Sequence, residues 1–175
     1  MNQTQRNKLV SDCSAIGNQV KSDKHLDSVY DYLNKKIITK NKIICKSKVG
    51  NKRYDLVFKN KTHFLNKFFA NKTKDAIELK SISATSFAKN INNRIEEMAG
   101  QAYISKYINK IKSFSYVFVI NETQSSMQSK HITRLTNCVD DLLKRKYIKN
   151  FVLIRVTKNG ANIDSKFSFN NWNWN

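Results

Sequence analysis

The sequence predicts an α/β fold, a mixed β-sheet flanked by helices, within a single domain spanning residues 1–175. Three observations carry that expectation. Residues 114–120 form a nearly continuous apolar run, the pattern of a strand buried on both faces. Helical stripes at residues 90–110 and 131–147 alternate with short apolar runs, and strand–helix–strand alternation sets strands side by side in one sheet. The chain has no Pro, only 4 Gly and no evident repeat or linker, so 175 residues are expected to build one core.

The elements follow in order. Residues 3–20 place Leu9, Val10, Cys13, Ile16 and Val20 on one helical face. A second helix is expected over residues 22–33, capped by Ser22 or Asp23, with Leu26, Val29, Tyr30 and Leu33 inward. Residues 37–47 have strand character, and Val49, Gly50, Asn51 and Lys52 supply a turn into a second strand over residues 53–58. Phe64, Leu65, Phe68 and Phe69 recur at helical spacing between Lys59, Lys61, Lys67, Lys72 and Lys74, a basic amphipathic helix covering a sheet edge or meeting a nucleic-acid backbone.

A short buried strand is expected over residues 76–80. The helix over residues 90–110 carries Ile91, Ile95, Met98, Ala99, Ala102, Tyr103 and Tyr107 as its apolar stripe. A polar connection follows the strand at 114–120, then a helix burying Ile132, Leu135, Val139, Leu142 and Leu143, then a strand over residues 150–156. In the tail Phe167, Phe169, Trp172 and Trp174 alternate, which suits an edge strand, a subunit contact or base contact.

Charge narrows the partner. A net charge of +19 exceeds what the Lys/Asn-rich composition of an AT-rich coding genome explains, and it points to a polyanion, nucleic acid ahead of membrane surface or acidic protein. Cys13, Cys45 and Cys138 are odd in number and widely spaced, which argues against a disulfide framework or a zinc site and fits a reducing compartment. His25, His63 and His131 are isolated. With neither a signal core nor an apolar run of membrane-spanning length, the expectation is a cytoplasmic protein that makes no membrane contact.

The chemistry concentrates at Asp55 and at Glu78-Leu79-Lys80. Alternation in a strand points Glu78 and Lys80 to one face and Ile77 and Leu79 to the other. In a chain with 32 Lys and Arg, Glu-x-Lys alone says little. Yet acids number only 13, and Asp55 and Glu78 sit inside apolar runs where an isolated carboxylate is costly. Two carboxylates on adjacent strands can grip a divalent cation, and a neighbouring ammonium can stabilise charge on a phosphate or help position water.

Ile77-Glu78-Leu79-Lys80-Ser81, then Ser86-Phe87, then Asn90, Asn92, Asn93, Arg94, Glu96 and Glu97, resembles the signature of the XhoI-type restriction endonucleases, in the PD-(D/E)xK nuclease superfamily. There an IELKS strand is followed, without gaps, by SFGNNFNNRTEEA. Tyr54-Asp55-Leu56-Val57 is similar to the family's WDLLV strand. Ala88 and Lys89 stand where the family shows Gly-Asn, and a longer insertion separates the two strands.

The resemblance implies a restriction-endonuclease-like core and a Type II enzyme hydrolysing double-stranded DNA. It implies Mg2+ held by Asp55, Glu78 and the Leu79 carbonyl, Lys80 assisting hydrolysis, and DNA contacts from Asn90, Asn92, Asn93 and Arg94. Asp27, Asp31 and the Glu96/Glu97 pair are further acids for such a site, with solvated helix charges as the alternative. Cutting both strands of a palindrome implies a homodimer. A structure-specific resolvase or repair nuclease on the same core, and a basic nucleic-acid-binding protein without catalysis, are the alternatives.

Overall fold

A computed structural model describes residues 1–15, 28–29, 31–33, 35, 42–45, 48–49, 52–53, 55–60, 75–82, 87–122 and 129–172. Helix α1 (Gln3–Ala15) opens the chain. Strands β1 (Lys42–Cys45) and β4 (Leu56–Asn60) bracket a small antiparallel pair, β2 (Lys48–Val49) with β3 (Lys52–Arg53). Then come β5 (Asp75–Ile82), α2 (Phe87–Tyr103), β6 (Ser113–Asn121), α3 (Ser129–Lys144), β7 (Asn150–Thr157) and β8 (Gly160–Ile163).

Among the described residues the main sheet runs β1-β4-β5-β6-β7-β8. Strands β5, β6 and β7 are parallel, while β4 and β8 pair antiparallel on either side of them. The mixed four-stranded part from β5 to β8, flanked by helices, makes this an α/β fold. All nine residues of β6 are buried, as the nearly continuous apolar run over 114–120 predicts for a central strand. Alternation divides its side chains between two cores. Phe114, Tyr116, Phe118 and Ile120 face α2 and α3, whereas Val117 and Val119 face the side on which α1 contributes Leu9.

Helix α2 buries Ile91, Ile95, Met98 and Ala102 at alternating spacings of four and three. Ile91, Ile95 and Met98 each contribute roughly 1.5–3 kcal/mol when fully buried, which is what holds the helix on the sheet. The expected stripe also included Tyr103 and Tyr107, and here the structure corrects the sequence. Both are exposed, at 53% and 51%. Tyr103 follows Ala102 and lies roughly 100° of rotation off the buried line. Beyond it the backbone widens into a π-turn, Ile104–Ile108, with Asn109 N–H donating to Ile104 O at 2.9 Å. The wider turn buries Ser105 and turns Tyr107 outward.

Two further corrections concern the Asp55 strand and the tail. Asp55 lies in a bend between β3 and β4, not within one continuous strand over 53–58. Among the described residues of the tail, Phe167, Phe169 and Trp172 form no edge strand and are buried within this chain. After β8, Asp164 Oδ1 accepts the N–H groups of Lys166 and Phe167, which turns the chain back. Phe167 then enters the core under α2 and α3, while Phe169 and Trp172 stack at 5.8 Å in the opposite core. Trp174 lies outside the described residues.

Other elements run shorter than expected or fall partly outside the described residues. Of the second expected helix, Val29 and Leu33 are buried and Asp31 is exposed, while Leu26, Asp27 and Tyr30 lie outside. Phe64, Leu65, Phe68, Phe69, His25, His63, Tyr54 and Ser86 also lie outside them. Among the described residues no helix is long and apolar enough to cross a membrane.

Candidate active site

The site forms where β4 begins beside the middle of β5. The last ladder pair there is Leu56 opposite Ile77, so one further step sets Asp55 beside Glu78. Because the chain bends at Asp55, its carboxylate rather than its backbone continues the pairing. Asp55 Oδ2 accepts the Leu79 N–H at 2.8 Å. That bond also orients the strand backbone. The N–H and C=O of one strand residue point toward the same neighbour, so the Leu79 carbonyl faces the Asp55 side, past the end of the β4 ladder.

Glu78 and Lys80 share the face of β5 that looks toward α2, as alternation requires. Glu78 is only 3% exposed although it carries a carboxylate. Its compensation is Lys80, whose Nζ lies 3.0 Å from Glu78 Oε1. Lys80 reaches a second carboxylate as well, with Glu97 Oε1 at 3.2 Å on α2. Glu97 is held in turn by Arg94, through Oε2, and by Gln101 Nε2 at 3.0 Å. Tyr116 O–H donates to Gln101 Oε1, and Tyr116 is the β6 neighbour of Glu78 in the parallel register. The polar contacts thus run as a chain from Glu78 through Lys80, Glu97 and Gln101 to Tyr116.

The ion pairs among these contacts set the protonation states of Lys80 and Glu97. Partial burial pulls the Lys80 pKa down, but Glu78 and then Glu97 outweigh it and hold the ammonium above the ordinary lysine value. Burial likewise pushes Glu97 up, and Arg94 and Lys80 together bring it below the ordinary glutamate value. At neutral pH Lys80 is therefore a firmly charged cation, suited to stabilising negative charge and unsuited to accepting a proton as a base.

Of the expected site residues, the structure brings together Asp55, Glu78, Leu79 and Lys80. It joins Arg94 to them through Glu97. Asn90, Asn92 and Asn93 lie on the first turns of α2. Asn93 is exposed, and Asn92 Oδ1 is buried without a hydrogen-bond partner. Of the Glu96/Glu97 pair it is Glu97 that meets Lys80, whereas Glu96 faces solvent. Gln101 and Tyr116 were not visible as site residues in the sequence. The signal for Gln101 was its four-residue spacing from Glu97, which stacks two polar side chains on one helix face.

The donor set tests what ion could sit here. Among the described residues no cluster of three or more His, Cys, Asp or Glu forms a metal cage. Two carboxylates and a carbonyl are all oxygen donors, too few for a closed site and matched to magnesium, which keeps several of its waters. Comparisons with protein-family models, curated proteins and solved structures find no match to this chain.

Proposed function

We propose that this chain is a magnesium-dependent DNA endonuclease, a Type II restriction enzyme that cuts a short palindromic duplex site. The observation that carries the reading is Asp55 closing onto the Leu79 N–H beside the Glu78–Lys80 pair. Three residues matching the family pattern are thereby gathered at one strand end, and an oxygen donor set for a hard cation stands beside a fixed ammonium.

Asp55, Glu78 and the Leu79 carbonyl are the groups that would hold magnesium. Bound there, the ion supplies Lewis-acid polarisation of the scissile phosphate and activation of water. Hydrolysis adds a water oxygen to phosphorus and breaks the bond to the departing sugar oxygen. Lys80 places its positive charge where the phosphate gains negative charge, and the contacts from Glu78 and Glu97 keep that ammonium aimed before substrate arrives. Arg94, tied to Glu97 and more than one-third exposed, presents a guanidinium to the backbone near the helix start. Asn90, Asn92 and Asn93 supply further donors on the same turns. The net charge of +19 supports a polyanionic substrate.

Incubating the protein with plasmid DNA and Mg2+, then sequencing the ends, tests the reading. One recurring palindrome at the ends is the expected result. Intact DNA with Mg2+ present overturns it.

A further inference from the structure

Beyond the C-terminal end of α2 the surface changes character. A groove of about 290 Å³ is lined by Lys106, Lys112, Lys146 and Lys149 together with Ile111, Phe114, Leu143, Tyr147 and Ile148. None of its lining residues is acidic. Beside it the end of α2 and the π-turn expose Tyr103, Ile104, Tyr107 and Ile108, the last by 64%. Tyr103 and Tyr107 lie 5.0 Å apart, and Tyr107 meets Tyr147 edge-on at 5.8 Å. Lys106 Nζ stands 5.3 Å from the Tyr107 ring and 4.8 Å from the Tyr147 ring. Cation and aromatic are thus presented together.

Backbone geometry builds this surface deliberately. Two residues past the end of each flanking helical segment stands a lysine with positive φ, Lys110 at 51° and Lys146 at 57°, where a side chain other than glycine's is disfavoured. At the second, Tyr147 N–H bonds Leu142 O and Lys146 N–H bonds Leu143 O, so the tight reversal brings Lys146 and Tyr147 to the groove.

We propose that this groove binds single-stranded nucleic acid, its lysines taking the phosphates and Tyr103 and Tyr107 stacking bases. Charge selects the occupant. A second copy of this chain would bring +19 against four lysines, whereas a polyanion is attracted. Exposed aromatics among cations are the equipment of sequence-tolerant single-strand binding, since every base has a π-face. Along the helix axis Tyr103 lies roughly 9 Å and Tyr107 roughly 15 Å beyond Glu97, at about 1.5 Å per residue. A strand held there therefore leaves the groove within a few nucleotides of the proposed cleavage centre. The proposal shares the nucleic-acid partner with the nuclease reading and adds a site and a strand state.

Fluorescence anisotropy of a labelled oligothymidylate, titrated with the full chain in EDTA, tests it. Tyr103→Ala/Tyr107→Ala should weaken binding roughly ten-fold, the loss expected for about one base stack. Tyr103→Trp/Tyr107→Trp should keep wild-type affinity. Lys112→Ala/Lys149→Ala should flatten the salt dependence by roughly 0.7 per lost phosphate contact, more than Lys8→Ala/Lys158→Ala, which removes equal charge elsewhere. Equal effects of the two lysine pairs, or unchanged affinity in the tyrosine variant, overturn the proposal. A tyrosine variant that only lowers the sedimentation coefficient also overturns it and makes the patch a self-association face. Because the binding assay contains no divalent metal, its outcome is independent of cleavage. Groove binding here with DNA left intact in the Mg2+ assay sinks the nuclease alone. Mg2+-dependent cleavage with normal binding by all groove variants sinks the groove alone.

Discussion

Glu97 Oε1 stands 3.2 Å from Lys80 Nζ, which joins the helix after β5 to the cation on β5 itself. Lys80 is shared between this carboxylate and Glu78, so the ammonium has two anchors on two elements. The arrangement makes Glu97 a positioning residue for Lys80 and gives the polar face of α2 a defined task.

The first prediction concerns hydrolysis. Asp55→Ala, Glu78→Gln and Lys80→Ala should each slow DNA cleavage by roughly 10²–10³, the scale of losing one charge-stabilising group. Circular dichroism should stay near wild type, because these side chains add little volume to the two cores. Wild-type cleavage by Lys80→Ala removes the catalytic assignment.

A second prediction follows from the ion pairs of Lys80 and Glu97. Glu97 has its pKa lowered in the fold, so the stability it contributes is present above the ordinary value of 4.5 and is lost as pH falls through the depressed value. Lys80 has its pKa raised, so its contribution is present below 10.5 and disappears as pH climbs through the raised value. Urea midpoints measured from neutral pH downward should therefore fall less steeply for Glu97→Gln than for wild type. Identical acid limbs mean that the ion pairs of Glu97 do not govern acid stability. Glu97→Gln should also lower kcat while leaving KM little changed, which a purely structural contact would not do.

Arg94 decides between support and contact. If it touches phosphate, Arg94→Ala should weaken duplex binding and flatten the slope of log affinity against log salt by roughly 0.9. An unaltered slope with slower cleavage confines Arg94 to holding Glu97.

Assembly gives a fourth test. Each chain offers one candidate centre, and a double-strand break requires two hydrolyses, so a two-fold homodimer on a palindrome is expected. Light scattering with and without DNA checks this, alongside cleavage of linear duplex and of a four-way junction. A protein that stays monomeric on DNA defeats the dimer. Junction cutting without duplex cutting promotes the resolvase.

The buried tail supplies the fifth. Trp172→Ala should destabilise the fold by roughly 3–5 kcal/mol, the cost of emptying an aromatic core position. Denaturant unfolding measures it, and a change below about 1 kcal/mol would place Trp172 outside the core, since surface substitutions cost that little.

What the sequence determined by itself is what local periodicity encodes. The run at 114–120 announced the buried centre of the sheet, and alternation alone set Glu78 and Lys80 on one face of β5. The stripe from Ile91 to Ala102 announced the helix that covers them. Tertiary structure decided everything that depends on where a chain turns. Only the bend at Asp55 puts its carboxylate on the Leu79 N–H, only packing selects Glu97 over Glu96, and only the π-turn exposes Tyr107. The tail shows why. Alternating aromatics suit an edge strand, but the Asp164 carboxylate captures two backbone N–H groups and sends Phe167 and Trp172 into different cores. Periodicity fixes which residues share a face of one element, whereas single hydrogen bonds and long-range packing choose what that face meets.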